Sequence, residues 1–271
     1  MDTIINFLIS RNWIYNECSQ CRKIFFTKKP LDNCSWRGCS SDAFKFRKKP
    51  KTTKNKSLDD IINIIKKNFY SYHFKNEDPL NIESKVGDTD LIGAAVQVIN
   101  PILFESSEIS PKNSLIFQPS IRAQHLKKAD DFFEIEGLST SFVNVATVST
   151  VLDIQKHLEI IDRWLTTFSY CGLYMGDFSL VLREKKNNNW GTGGFHSIEL
   201  FFNYIDLEIG DASYFKINTN KGHNFSVSDI GFGLERIYWA IRKTDSYSDI
   251  LEPPSKLGLN SKLQDIVRTL V

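Results

Sequence analysis

No stretch of this 271-residue chain is apolar for long enough to cross a membrane, which argues against an integral membrane protein. The opening run IINFLIS is short and follows Asp2, unlike a secretory leader, so a cytoplasmic location with no membrane partner is expected. An excess of either charge is also missing. Lys and Arg number 34 against 32 Asp and Glu, and a formal +2 excludes a polycation built for bulk nucleic-acid binding while allowing local basic patches. No internal repeat is present, which excludes a solenoid. What the chain does have is bulk: 41% hydrophobic and 13% aromatic residues are enough for one sizeable core, so most of it is not disordered.

Cysteine is nearly absent outside one segment. Four of the five lie in CSQCRKIFFTKKPLDNCSWRGC, as Cys18, Cys21, Cys34 and Cys39. In a reducing compartment two close pairs separated by a short hairpin point to structural Zn2+, since tetrahedral zinc takes four thiolates at about 2.3 Å and then has no open position for catalysis. Unligated thiols or two disulfides are the alternative. Phe25 and Phe26 are expected to cover one side of this knuckle. Cys171 stands apart and reads as a buried structural thiol.

A division follows: a zinc-knuckle module over 1–45, a basic linker over 46–56 (FRKKPKTTKNK) and a main domain over 57–271. Ser57 and Asp60 form a capping box before Leu58, Ile61, Ile62, Ile65 and Phe69, which predicts an amphipathic helix. Residues 152–170 predict a second. The run ending in FQPSIR and the run LSTSFVNVATVST predict two strands joined by a long loop, AQHLKKADDFFEIEG. Further strands are expected on either side of a polar turn, KKNNNWGTGG. Helices packed on an antiparallel sheet give an α+β class.

The stretch SDIGFGLERIYWAI places Gly231, Gly233 and Arg236 at the mouth of an apolar helix, which suits a ligand lying against backbone beneath a guanidinium. A glycine-punctuated turn into a buried helix is the plainer alternative. Taken with FQPSIR, STSF, GTGGFHSIEL and the cysteine quartet, this resembles the catalytic domain of the class II aminoacyl-tRNA synthetases, specifically the archaeal alanyl-tRNA synthetase type. The order of these pieces agrees along nearly the whole chain.

The resemblance implies a class II synthetase-like antiparallel sheet and ATP-dependent activation of a small amino acid, with alanine, glycine and serine as leading substrates. It implies that Arg122 holds the α-phosphate and the substrate carboxylate, that Arg236 reaches the γ-phosphate, and that Phe142 stacks on adenine. Arginine suits these tasks because its planar fork binds oxyanions and stacks on rings. Gly231 and Gly233 would let backbone approach the nucleotide, Glu199 would meet Mg2+ or the ribose, and Asp229 would grip the substrate α-ammonium. Trp190 and Gly193 would wall the amino-acid pocket. Asp229 as a helix cap, Trp190 as ordinary core and Glu199 as a solvated strand residue stay open as alternatives.

Two departures from the family stand out. Where a basic or histidine side chain commonly lies four residues before the stacking phenylalanine, this chain has Leu138, so that γ-phosphate contact is either missing or supplied by His125 or a loop lysine, Lys127 or Lys128. The loop after Arg122 also lacks the expected polar pattern. Because the sequence ends 35 residues beyond Arg236, the expectation is a truncated, stand-alone activating enzyme that passes its acyl group to a non-tRNA acceptor, such as a carrier protein or a biosynthetic intermediate. Charging of tRNA by a minimal synthetase, and a non-catalytic amino-acid or nucleotide sensor, are the alternatives. A homodimer is compatible with the family.

Overall fold

The structure is a computed structural model, and it describes residues 1–36, 39, 56–84, 86, 90–99, 112–122, 137–151, 153–190, 193–218 and 224–251. Among these, nine strands form one sheet in the order β1-β2-β6-β7-β8-β9-β5-β4-β3, antiparallel except where β3 runs parallel to β4. The strands are β1 (Ile14–Glu17), β2 (Ile24–Thr27), β3 (Lys75–Glu77), β4 (Asn113–Ile121), β5 (Ser141–Val151), β6 (Phe178–Trp190), β7 (Gly193–Tyr204), β8 (Leu207–Asn218) and β9 (Asn224–Gly233). Four helices accompany them, α1 (Asp2–Ser10), α2 (Leu58–Tyr70), α3 (Ile154–Cys171) and α4 (Leu234–Arg242), so the α+β class holds. Among the described residues no helix is long and apolar enough to cross a membrane.

Helix α2 starts where the capping box places it: the Ser57 side chain accepts from the Asp60 amide, and the Asp60 carboxylate accepts from the Ser57 amide. Helix α3 is capped by Asp153, whose side chain accepts from the Lys156 amide, and stops at Gly172, which sits at φ +102 where a side chain would be strained. Its buried face, including Leu158, Ile161, Trp164, Leu165 and Phe168, covers one face of the sheet. Trp164 packs on Phe232 at 4.7 Å between ring centroids and donates its indole N–H to Thr147 Oγ1 at 2.7 Å. Cys171 is buried at the end of this helix, and burial pushes its thiol up to about 12, as befits an inert core group.

The N-terminal segment joins the same body. Ile4, Phe7 and Leu8 of α1, an element the sequence reading did not identify, belong to the same core cluster as Leu158 and Trp164. Strand β2 pairs with β6, so the cysteine segment is built onto the sheet edge. Strand alternation then separates the two phenylalanines: Phe25 packs with Cys18 and Cys34, whereas Phe26 points to the opposite face and enters the main core. The expectation that both cover the knuckle is corrected to Phe25 alone.

The polar turn expected over KKNNNWGTGG is also narrower than its composition suggested. Strand β6 continues to Trp190 and β7 begins at Gly193, with a register shift between Lys185 and Asn188. Ladder pairing satisfies backbone amides whatever the polarity of the side chains, so asparagines extend the hairpin. The basic linker over 46–55 and the loop over 123–136 lie outside the described residues.

Candidate active site and cysteine cluster

Side chains alternate across a strand, and β9 divides its residues accordingly. Ser228, Ile230 and Phe232 face α3, while Asp229, Gly231 and Gly233 face the other way. On that second face the Asp211 position lies beside Gly231 and Ser213 beside Asp229, which makes Asp211 and Asp229 diagonal neighbours. A cavity of about 220 Å³ opens here, and its lining includes Arg122, Phe142, Asp211, Asp229, Gly231, Gly233 and Arg236. Six of those seven are residues singled out in the sequence; Asp211 is the addition.

Arg122 follows the end of β4 and donates from Nε to the Gly93 carbonyl at 2.8 Å, with its guanidinium carbon 5.1 Å from the Phe142 ring centroid. The antiparallel register that pairs Ser120 with Phe142 brings these two together. Arg236, in the first turn of α4, donates from Nε to Gly137 O at 2.8 Å and from Nη1 to Glu208 O at 3.2 Å, tying the residues just before β5 to β8. Glu235 is buried, and both its carboxylate oxygens accept from the Val143 amide, at 3.0 and 3.1 Å.

Asp211 and Asp229 form the acidic floor. Burial, with Glu199 and Glu208 nearby, raises Asp211 to about 6 even though Ser213 donates to it at 3.0 Å and Arg122 opposes the shift. Asp229 is raised to about 7, first by burial and then by the charge of Asp211, with Arg122 again lowering it. Asp229 has no hydrogen-bond partner among the described residues. A carboxylate held this way gains most from an incoming cation, which removes its burial penalty and its repulsion at once.

The glycines play unequal parts. Neither Gly231 nor Gly233 adopts the left-handed region. A Cβ on Gly233 would meet only Arg236 carbons at 3.6–3.7 Å, so the protein's own packing does not demand glycine there and the space stays open to the cavity. Gly210, which the sequence reading passed over, is demanded: a Cβ there would stand 2.2 Å from the Gly231 carbonyl oxygen.

Other sequence candidates are not among the described lining residues. Glu199 is buried on β7 outside the cavity lining, and its carboxylate is held by Arg183 at 2.6 Å from Nε and again through Nη2. Trp190 and Gly193 pair across the β6–β7 hairpin. His125, Lys127 and Lys128 lie outside the described residues. Asp211 carried one local signal that could have exposed it, an acidic residue inside the strand-forming run LEIGDASYFKI.

At the sheet edge the four cysteine sulfurs lie within 4.8 Å of one another, with Cys18 and Cys39 3.8 Å apart and Cys21 and Cys34 3.4 Å apart. Tetrahedral bonds of about 2.3 Å require sulfurs roughly 3.8 Å apart, so the quartet fits a zinc ion. All four are free thiols rather than disulfides. The amide of Cys34 donates to Cys18 Sγ at 3.4 Å, the kind of contact that orients a thiolate ligand.

No family model matches the chain. It is similar to the alanine–tRNA ligase of Thermococcus kodakarensis, at 24% identity over 98% of this chain and 31% of that protein. It is likewise similar to the alanine–tRNA ligase of Staphylothermus marinus, at 23% identity over 98% of this chain and 30% of the relative. The chain therefore spans less than a third of the length of the curated relatives it matches. A solved pyrrolysyl-tRNA synthetase from Desulfitobacterium hafniense has a TM-score of 0.49 at 14% identity, covering 73% of this chain and 71% of that one. The sequence relationship bears out the recognition of a class II synthetase-like catalytic domain, homologous to archaeal alanyl-tRNA ligases.

Proposed function

We propose that this chain activates a small amino acid with ATP. The substrate carboxylate oxygen attacks the α-phosphorus, the bond to the β-phosphate oxygen breaks, and an aminoacyl adenylate forms as pyrophosphate leaves. The observation that carries this reading is Asp229, without a hydrogen-bond partner among the described residues, on the floor of a cavity that Arg122 also lines. A carboxylate for an α-ammonium and a guanidinium for a carboxylate and a phosphate are the two charges an amino acid presents in reverse.

In this reading Arg122 brings the two anions together and offsets charge that builds on the phosphoryl oxygens. Phe142 supplies an apolar ring for the adenine, Arg236 lies along the nucleotide, and the open space at Gly233 admits it. Mg2+, held with the ATP phosphates, would neutralise part of their charge. With Glu199 committed to Arg183, Glu208, which lines the cavity, is better placed to meet that ion. Trp190 and Gly193 are proposed to wall the amino-acid side, and Zn2+ to hold the cysteine segment together.

The acyl acceptor distinguishes two versions. Transfer to a carrier-protein thiol or a biosynthetic intermediate is supported by the departure of the 123–136 loop from the family pattern; transfer to tRNA is supported by what the relatives' names say they charge. Amino-acid-dependent exchange of labelled pyrophosphate into ATP tests the shared step. Exchange with one small amino acid that disappears in Arg122→Ala supports activation, and folded, zinc-loaded protein with no exchange for any amino acid overturns it. Adding tRNA or a carrier protein to an active preparation then separates the acceptors.

A further inference from the structure

The floor of the cavity holds one more carboxylate than a simple amino acid needs. Around it, the other acidic side chains have assigned work: Glu235 accepts from the Val143 amide, Glu199 is paired with Arg183, and Glu208 is the carboxylate proposed above to meet Mg2+. Asp211 and Asp229 remain, both lining the cavity, with Arg122 as the cation whose field reaches each of them. A zwitterionic substrate adds one positive and one negative group. If its ammonium meets Asp229 and its carboxylate meets Arg122, Asp211 is left part-buried with only the Ser213 hydroxyl donating to it. Burying a charge without a counter-charge is costly, so the arrangement favours a ligand that brings a second cation.

Geometry limits where that cation can be. Asp211 and Asp229 are diagonal neighbours on adjacent strands, so their α-carbons stand roughly 7–8 Å apart, and both residues line the same cavity. A substrate held at its α-ammonium by Asp229 reaches Asp211 with a side chain of two or three atoms. The elevated values of both carboxylates, about 6 and about 7, have the sign expected of a site short of one positive charge.

We infer that the amino-acid subsite selects a short diamino acid, with Asp229 taking the α-ammonium and Asp211 taking an ammonium on the side chain. This rests on reading the cavity as an amino-acid site and narrows its substrate class. Ser213 positions Asp211 through its hydroxyl.

Binding tests the inference independently of the chemistry. The zinc-loaded chain is titrated calorimetrically with L-2,4-diaminobutyrate, with L-2-aminobutyrate, which has the same carbon chain without the second amine, and with alanine. The expected result is at least tenfold tighter binding of the diamino acid, with that preference lost in Asp211→Asn while binding of 2-aminobutyrate is kept or improved. Equal affinities, a preference for alanine, or a preference unchanged in Asp211→Asn would overturn it, as would absence of binding by all three. Asn has the same shape as Asp, and matched melting curves for the two proteins identify any variant that fails to fold. In that case Ser213→Ala, expected to reduce the preference severalfold, takes its place. Pyrophosphate exchange with the same ligands separates the two conclusions: selective binding without exchange upholds the diamino subsite and overturns adenylation, whereas exchange with alanine and no diamino preference does the reverse.

Discussion

The two faces of the central sheet are built from the same strands and have opposite character. On the face toward α3, Ile230 and Phe232 pack against Trp164 and Phe168, and the polar groups between strand and helix, Thr147, Ser228 and His157, are uncharged. His157 is the extreme case: it is buried, its Nδ1 shares a hydrogen bond with Ser228 at 2.7 Å, and burial lowers it to about 3. On the other face Asp211 and Asp229 are driven up by burial and by neighbouring carboxylates, and Arg122 stands over an open cavity. One face is stabilised by excluding charge, while the other keeps charge in unfavourable surroundings that only a ligand can relieve. Such a site opposes the stability of the fold and serves binding.

The largest way to break this contrast is to put a carboxylate on the closed side. Ile230→Asp, one residue from Asp229 but facing α3, is expected to destabilise by about 3–5 kcal/mol or to abolish folding, as read by denaturant unfolding. Arg122→Ala tests the open side: exchange activity should fall by about 10²–10³-fold with little change in melting, because the side chain is exposed and its loss leaves the core intact. The cysteine cluster lies on the open side too, through Phe25 and Phe201, and a zinc ion held by four thiolates there is expected to be structural. Chelation should release about one zinc per chain and lower the melting temperature by several degrees.

The pH dependence should have opposite signs for the two faces. Asp229 holds its proton up to about 7, above its ordinary value of 3.8, so the folded state binds the proton more tightly and loses stability as pH rises between those values. Asp229→Asn should therefore melt higher than the parent at pH 8, with the gap closing toward pH 4, and should lose amino-acid-dependent exchange. His157 behaves inversely: held near 3 against an ordinary 6.5, it contributes a loss of stability as pH falls from 6.5 toward 3. His157→Gln should flatten that acid limb. The smallest effect separates two glycines. Gly233→Ala should leave stability within about 0.5 kcal/mol while weakening nucleotide binding, whereas Gly210→Ala should cost stability because its Cβ meets the Gly231 carbonyl.

Much of this was legible in sequence because it is local. The capping box before α2, the apolar spacing of α3 and the close cysteine spacing are encoded within a few residues of one another, and each appears in the structure. Resemblance added Arg122, Phe142, Asp229 and Arg236, which the fold brings to one cavity. Helix α1 is harder to read because its apolar residues, Ile4, Ile5, Phe7, Leu8 and Ile9, span less than two turns. Glu199 was read as a ligand to metal or ribose because nothing in its own neighbourhood announces Arg183, which is 16 residues away and reaches it only by strand pairing.

The sequence by itself determined the starts and apolar faces of α2 and α3 and the clustering of four thiols suited to zinc, and it nominated residues for gripping an amino acid and a nucleotide, since these depend on short-range periodicity and residue type. Only the tertiary structure decided that Asp211 joins Asp229, that Phe25 and not Phe26 covers the cysteines, and that Gly210 rather than Gly233 is sterically required. Those outcomes depend on strand register, and a shift of one residue would turn each of these side chains to the other face of the sheet.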